Sequence, residues 1–259
     1  MTSPRFRVVI PARLESTRLP RKPLLDVAGK PLVLRVLERA AQSGAEELLV
    51  ATDSSEIADV VQRAGGRAVM TSSAHASGTD RIAEVARKLA FAPDDIVVNL
   101  QGDEPLVPAP LLAAIAGALE ARREASIATL ATPIRALDEL FDPNAVKVVR
   151  DDSGLALYFS RAPMPWVRDA FADREATALP PDVPFLRHLG LYAYRVSTLE
   201  RLAAASESTL ERAEKLEQLR ALALGMRIHV GVIEEPPPPG VDSAEDLARV
   251  RRIFEEASR

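Results

Sequence analysis

The sequence predicts an α/β protein with a mostly parallel sheet, joined to a small lobe of mixed or antiparallel strands. Three observations lead there. Short apolar runs rich in β-branched side chains alternate with segments of helical period, the pattern of successive βα units. That alternation lapses over about residues 135–195, where strand-like runs follow one another without helices between them. The chain has 259 residues and is 47% apolar, enough to close a full hydrophobic core.

The first strand is the run Phe6-Arg7-Val8-Val9-Ile10. A helix at 32–42 ends at Gly44, which suits a left-handed close. A strand at 47–51 leads to a helix at 54–64, for which Asp53 and Ser54 offer capping oxygens. Strands at 67–70 and 96–99 and helices at 78–89 and 109–123 repeat the unit, and right-handed crossovers would stack the helices on both faces of one sheet. Further strands are expected at 125–133, 146–149, 155–159 and 188–195. Residues 168–184 are polar and end among three prolines, reading either as a mobile connection over a site or as an inert surface loop. Helices at 198–204 and 210–224, a strand at 227–233, a rigid turn at 236–240 and a helix from Ser243, capped by that serine or a neighbouring acid, complete the chain. With no repeat and no clean linker, one domain over 1–259 is expected, its sub-lobe at about 135–195 supplying acceptor contacts or a dimer surface.

Composition narrows the function. A net charge of −4 argues against general nucleic-acid binding, which needs a basic face. With no cysteine, disulfides, thiolate metal sites and cysteine nucleophiles are excluded, and three scattered histidines, His75, His188 and His229, make a zinc site improbable. The N-terminal apolar run is too short for a signal peptide and no stretch approaches 18 apolar residues, so a cytoplasmic protein that binds no membrane is expected.

Against that acidic background the loop after the first strand, IPARLESTRLPRKPL, sets Arg13, Arg18, Arg21 and Lys22 against the single acid Glu15. Ligands of open α/β sheets bind at this strand edge, and guanidinium and ammonium groups match phosphate oxygens, so a small polyanion is the natural partner. Pro11, Pro20 and Pro23 lower the entropy cost of holding one shape. Neither GxxxxGK[ST] nor GxGxxG is present, so side chains must do most of the holding. Two acids stand at comparable strand ends: Asp103, in NLQGDEP, and Asp242, after the Pro-rich turn. Each suits either a hard cation shared with phosphate or the cap of the next helix. The segment HASGTDR opens a helix with hydroxyls and a glycine, suited to a base edge or simply to capping.

Taken together, IPARxxSTRLPRKPL, VATD, HASGTDR, NLQGDEP, PNAVKVV, YFSRAPMPW, FLRHLGLYAYR, LEQLR and GVDSAEDL resemble the 3-deoxy-manno-octulosonate (Kdo) cytidylyltransferases over about residues 6–256. The resemblance implies a nucleotidyltransferase-type, Rossmann-like three-layer core with a smaller lobe at a homodimer interface. It implies Mg²⁺-assisted joining of CTP and Kdo to give CMP-Kdo and pyrophosphate, for lipopolysaccharide biosynthesis. Carried over by position, Asp103 and Asp242 would bind Mg²⁺, and Lys22 and Arg18 would join them as catalytic residues. Pro11, Ala12, Arg13, Ser16, Lys22, Ser77 and Gln101 would bind CTP. Arg18, Gln101, Arg161, His188, Tyr192, Glu217 and Gln218 would bind Kdo. An 8-amino Kdo analogue or another acidic sugar is the nearest alternative acceptor, and a non-catalytic nucleotide-binding protein is disfavoured by the joint presence of Lys22, Asp103 and Asp242. Two positions depart from the family's pattern: Asp80 stands where glutamate is common, and Arg21 replaces the glycine of STRLPGKPL, so either φ is negative there or the loop runs differently.

Overall fold

A computed structural model of the chain describes residues 4–15, 19–75, 77–172 and 177–257. The chain divides into two compact units, one running through Glu120 and including Ala193–Ala204 and the segment from Pro237 on, the other formed by Ala121–Tyr192 and Ala205–Pro236.

In the first unit the strands are β1 (Arg7–Ala12), the short β2 (Asp26–Val27) and β3 (Lys30–Pro31), β4 (Glu47–Thr52), β5 (Arg67–Met70) and β6 (Ile96–Asn99). Its helices are α1 (Leu32–Ala40), α2 (Ser55–Arg63), α3 (Gly78–Lys88) and α4 (Ala109–Ala121), the last ending at the edge of the unit. Strand β1 pairs in parallel with β4 on one side and β6 on the other, and β4 with β5, giving the order β6-β1-β4-β5. Val8, Val9 and Ile10 are consecutive yet all fully buried, so both faces of β1 are covered, as a parallel sheet requires. The register continues through Pro11↔Ala51 and Ala12↔Thr52, which carries β1 two residues beyond its apolar run.

The second unit holds β7 (Ile127–Pro133), α5 (Leu137–Phe141), β8 (Lys147–Arg150), β9 (Ala156–Ser160) and most of β10 (Leu186–Arg195). Between them α6 (Val196–Ala204) belongs to the first unit, and α7 (Thr209–Glu214), α8 (Gln218–Ala223) and β11 (Ile228–Val232) to the second; α9 (Ala244–Ala257) returns to the first. Strands β11 and β7 are parallel, whereas β8 is antiparallel to both β9 and β10. The break in the βα rhythm read from the sequence is thus a real antiparallel excursion.

Three local features differ from expectation. Asp26–Pro31 forms a two-residue hairpin whose central Ala28 and Gly29 both have positive φ, 50° and 82°, the geometry of a type I′ turn. The helix expected at 210–224 is two short helices, broken at Lys215 with φ 55°. Glu211, in a capping box with Ser208, also accepts a bond of 2.9 Å from Arg220, and that tie holds the fold-back. Asp53 does not cap α2: Ser54 does, accepting from the Ile57 N–H, and Asp53 instead accepts from Arg81 at 2.8 Å. Of residues 168–184, 173–176 lie outside the described residues, while Phe171, Leu179 and Val183 pack in one apolar cluster with Ile134, Leu140 and Phe185.

Of the two alternatives for Arg21, a negative φ does not hold. Arg21 has φ 58° and ψ 27°, the left-handed geometry that glycine adopts freely. Its N–H donates to the Leu14 carbonyl, its carbonyl accepts from Leu24 N–H at 2.9 Å to start a 3-10 turn over Lys22–Leu24, and its side chain pairs with Glu56. A side chain in this geometry costs about 1–2 kcal/mol. Arg21→Gly should therefore leave folding stability unchanged or raise it by up to about 1 kcal/mol, the exposed Glu56 pair returning little. Arg21→Val should lower it by about 1–2 kcal/mol in urea unfolding.

Candidate active site

The 3-10 turn presents Lys22. Its ammonium donates to Asp103 Oδ2 at 2.6 Å, to the Val241 carbonyl at 2.8 Å and to Asp242 Oδ1 at 3.0 Å, so all three of its protons are used. The side chain is only 15% exposed. Burial pushes its pKa down, but Asp103 and then Asp242 more than offset this, and the net shift is upward.

The two acids are brought together by backbone. Asp103 follows β6 through a glycine turn, and its carbonyl accepts from the Val241 N–H at 2.8 Å. A Cβ on Gly240 would lie 2.8 Å from that same carbonyl oxygen, so only glycine permits the approach. Val241 itself is buried in a cluster with Val27, Leu32, Leu106, Leu247 and Val250, which locks the segment before α9 against the hairpin and α1. The capping alternatives fall away. Ser243 accepts from the Asp246 N–H at 3.2 Å, leaving Asp242 to Lys22, and α4 begins only at Ala109, six residues beyond Asp103. Between them Glu104 is pushed up to about 8, first by burial and then by Asp103 and Asp242, against the pull of Lys22; it is a neutral carboxyl at pH 7.

Among the described residues no group of three or more acidic or imidazole side chains is arranged to hold a metal. A cation here would have Asp103 and Asp242 as its protein ligands and complete its shell with phosphate oxygens and water. That hard, partial donor set fits Mg²⁺.

A second group gathers at the end of β1. A Cβ on Gly78 would stand 3.2 Å from Pro11 Cγ and 3.8 Å from Gln101 Oε1, and one on Gly102 2.7 Å from the Pro11 carbonyl oxygen. Gly78 at the start of α3 is therefore close against Pro11 and Gln101, and Gly102 against Pro11 and Ala12. Ser77 caps α3, accepting from the Asp80 N–H at 3.2 Å. Arg13 is exposed, and Ser16 and Arg18 lie outside the described residues. The roles of Gly78, Gly102 and Gly240 were not read from the sequence, because what demands glycine is a neighbour distant along the chain.

The residues matched to an acidic sugar lie in the second unit, except Gln101 and Arg18. Arg161 is held by Glu214: its N–H donates to Glu214 Oε2 at 2.8 Å and its Nε to the Glu214 carbonyl at 2.7 Å, while Nη1 reaches the Pro143 carbonyl at 2.9 Å. Gln218 is buried and Glu217 exposed at the start of α8. His188 lies between Phe159 and Tyr192, with ring centroids 5.0 and 5.3 Å away. Its Nε2 is 2.8 Å from the Thr129 hydroxyl, which in turn donates to the Leu191 carbonyl at 2.9 Å. With the hydroxyl proton so committed, Nε2 carries the ring proton. Burial pushes the His188 pKa down to about 3, so the ring is neutral at pH 7.

Residues 7–228 match the family described as cytidylyltransferase. The chain is 51% identical over 253 residues to a 3-deoxy-manno-octulosonate cytidylyltransferase of Hahella chejuensis, covering 98% of this chain and 99% of that protein. It is 52% identical over 250 residues to one of Cellvibrio japonicus, covering 96% and 98%. A solved structure of CMP:2-keto-3-deoxy-manno-octonic acid synthetase complexed with CTP superposes with a TM-score of 0.87 at 39% identity, covering 98% of this chain and 99% of that one.

Gly102→Ala should cost about 1–3 kcal/mol in denaturant unfolding, because the added methyl meets backbone rather than a yielding side chain. His188 gives a pH signature. The unfolded ring charges as pH falls through 6.5 while the folded ring stays neutral until about 3, so the stability it contributes is complete above 6.5 and is lost between 6.5 and 3. On going from pH 7 to pH 5 the wild type should lose about 2 kcal/mol more than His188→Gln, whose amide can still donate to Thr129.

Proposed function

The chain belongs to the cytidylyltransferase family, among the 3-deoxy-manno-octulosonate cytidylyltransferases, and on that footing we propose that it joins CTP to Kdo, releasing pyrophosphate. The observation that carries the proposal is the meeting of Lys22 with Asp103 and Asp242 at the edge of the parallel sheet. In this reaction the anomeric oxygen of Kdo bonds to the α-phosphorus of CTP, the bond to the bridging β-phosphate oxygen breaks, and the hydroxyl proton passes to solvent. Such a displacement is driven by positioning and by offsetting charge on the oxygens.

Each group has a part. Asp103 and Asp242 would hold Mg²⁺, which would supply a lowered pKa at the sugar hydroxyl and positive charge beside the α-phosphate. Lys22, charged throughout the working pH range, keeps Asp103 and Asp242 together and sets positive charge beside the developing negative charge, and Arg13, Ser16 and Arg18 grip the triphosphate on the same loop. Pro11, Ala12, Ser77 and Gln101 read the cytosine edge. Arg161 and Arg18 face the Kdo carboxylate as the cations of its set, since His188 is neutral and serves as a hydrogen-bonding group beside Gln101, Tyr192, Glu217 and Gln218. The enzyme works in the cytoplasm as a homodimer supplying lipopolysaccharide synthesis, as a single nucleotidyltransferase domain whose lobe at about 135–195 contributes to the dimer face and the sugar site. No helix among the described residues is long and apolar enough to cross a membrane.

Purified protein with CTP, Kdo and Mg²⁺ should release pyrophosphate, and chelation should stop it; turnover with a different acidic sugar alone would remove Kdo as the acceptor. Asp103→Asn should lower kcat at least about a hundredfold, on the order of 3 kcal/mol. Near-wild-type turnover in that variant would take Asp103 out of the metal site.

A further inference from the structure

We propose that Glu84 is a positioning residue for the nucleotide: it fixes the loop between β5 and α3 and so presets the cytosine side of the site without touching the substrate. The proposal rests on the placing of Ser77, Pro11 and Gln101 at the base.

The loop is described over Thr71–His75, and Ser77 beyond it caps α3. The loop's outer residues, Ser72, Ser73 and Ala74, are exposed, so burial does not hold them. Side chains hold it instead, at three places. At its start the buried Arg81, 3% exposed, donates to Thr71 Oγ1 at 2.5 Å and to Asp53 Oδ2 at 2.8 Å, while the Thr71 N–H donates to the Thr52 carbonyl at 2.8 Å. At its end Ser77 exchanges bonds with Asp80. In the middle, the Ala74 N–H donates to Ser72 Oγ at 3.1 Å, and one carboxylate ties the segment to α3. Glu84 Oε2 accepts from the Ser72 N–H at 2.9 Å and from His75 Nε2, and Oε1 pairs with Lys88 at 2.7 Å.

An exposed glutamate paired only with the lysine four residues on would be an ordinary helix-surface pair. Two of the three partners of Glu84 are instead in the loop. Burial pushes this carboxyl up, but the bonds from Lys88, Ser72 and His75 prevail and bring it to about 2. The loop delivers the start of α3 against Pro11 and Gln101, where even a methyl on Gly78 would press at 3.2 Å. Releasing its middle would leave the nucleotide to order several backbone residues on binding, and affinity would fall by the part of that entropy cost not recovered.

Glu84→Ala should therefore raise the KM and the calorimetric Kd for CTP about tenfold, with kcat and the KM for Kdo within twofold of wild type. Discrimination between CTP and UTP should narrow. Glu84→Gln, which keeps an acceptor for Ser72, should recover part of the loss. His75→Leu removes a loop partner without altering α3, so it should raise the CTP Kd, and combining it with Glu84→Ala should add less than the sum of the two. If Glu84→Ala does not fold, Glu84→Gln and His75→Leu carry the same test. Unchanged CTP affinity in the variants, or a fall in kcat at constant CTP affinity, would overturn the proposal while wild-type CTP binding leaves the reading of the site standing. A wild type that does not bind CTP would overturn both.

Discussion

Three segments far apart in the chain meet at one ammonium group. Asp103 and Asp242 are separated from Lys22 by 81 and 220 positions, and both place a carboxylate oxygen within 3.0 Å of its nitrogen. Two carboxylates so close repel one another unless a cation stands between them or one takes up a proton. Lys22 is that cation, and Glu104 beside it is driven toward the neutral form first by burial and then by Asp103 and Asp242. The geometry depends on backbone as much as charge: the bond from Val241 to Asp103 and the bare Cα of Gly240 let the segments lie this close. Arg21, in a conformation normally left to glycine, aims the turn that carries Lys22.

The same economy recurs at the end of β1. Pro11 is flanked by Gly78 and Gly102, and neither neighbour has room for a side chain without displacing something. Close backbone contact makes this part of the site rigid where it is formed, while the exposed loop leading to Ser77 must be held by hydrogen bonds. In the second unit the division of labour is electrostatic. Arg161 comes with its guanidinium and backbone already tied to Glu214, whereas His188 is kept neutral by burial and donates through Nε2.

The sequence by itself determined the class of fold and most of its elements, because hydrophobic period is a local property. The strands at 67–70 and 96–99 match β5 and β6 end to end, and the lost rhythm after residue 135 marked the antiparallel pairings of β8, β9 and β10. The order of motifs pointed to the chemistry and to Lys22, Asp103 and Asp242. Local pattern could not choose between cap and ligand for the two acids, nor see that α7 and α8 would part at Lys215, that Asp53 would leave α2 for Arg81, or that Arg21 would keep a positive φ. Tertiary structure decided each of these. Whether a carboxylate caps its own helix or meets a cation elsewhere depends on which distant segment is carried beside it, and that follows from strand order and packing rather than from neighbours in the chain.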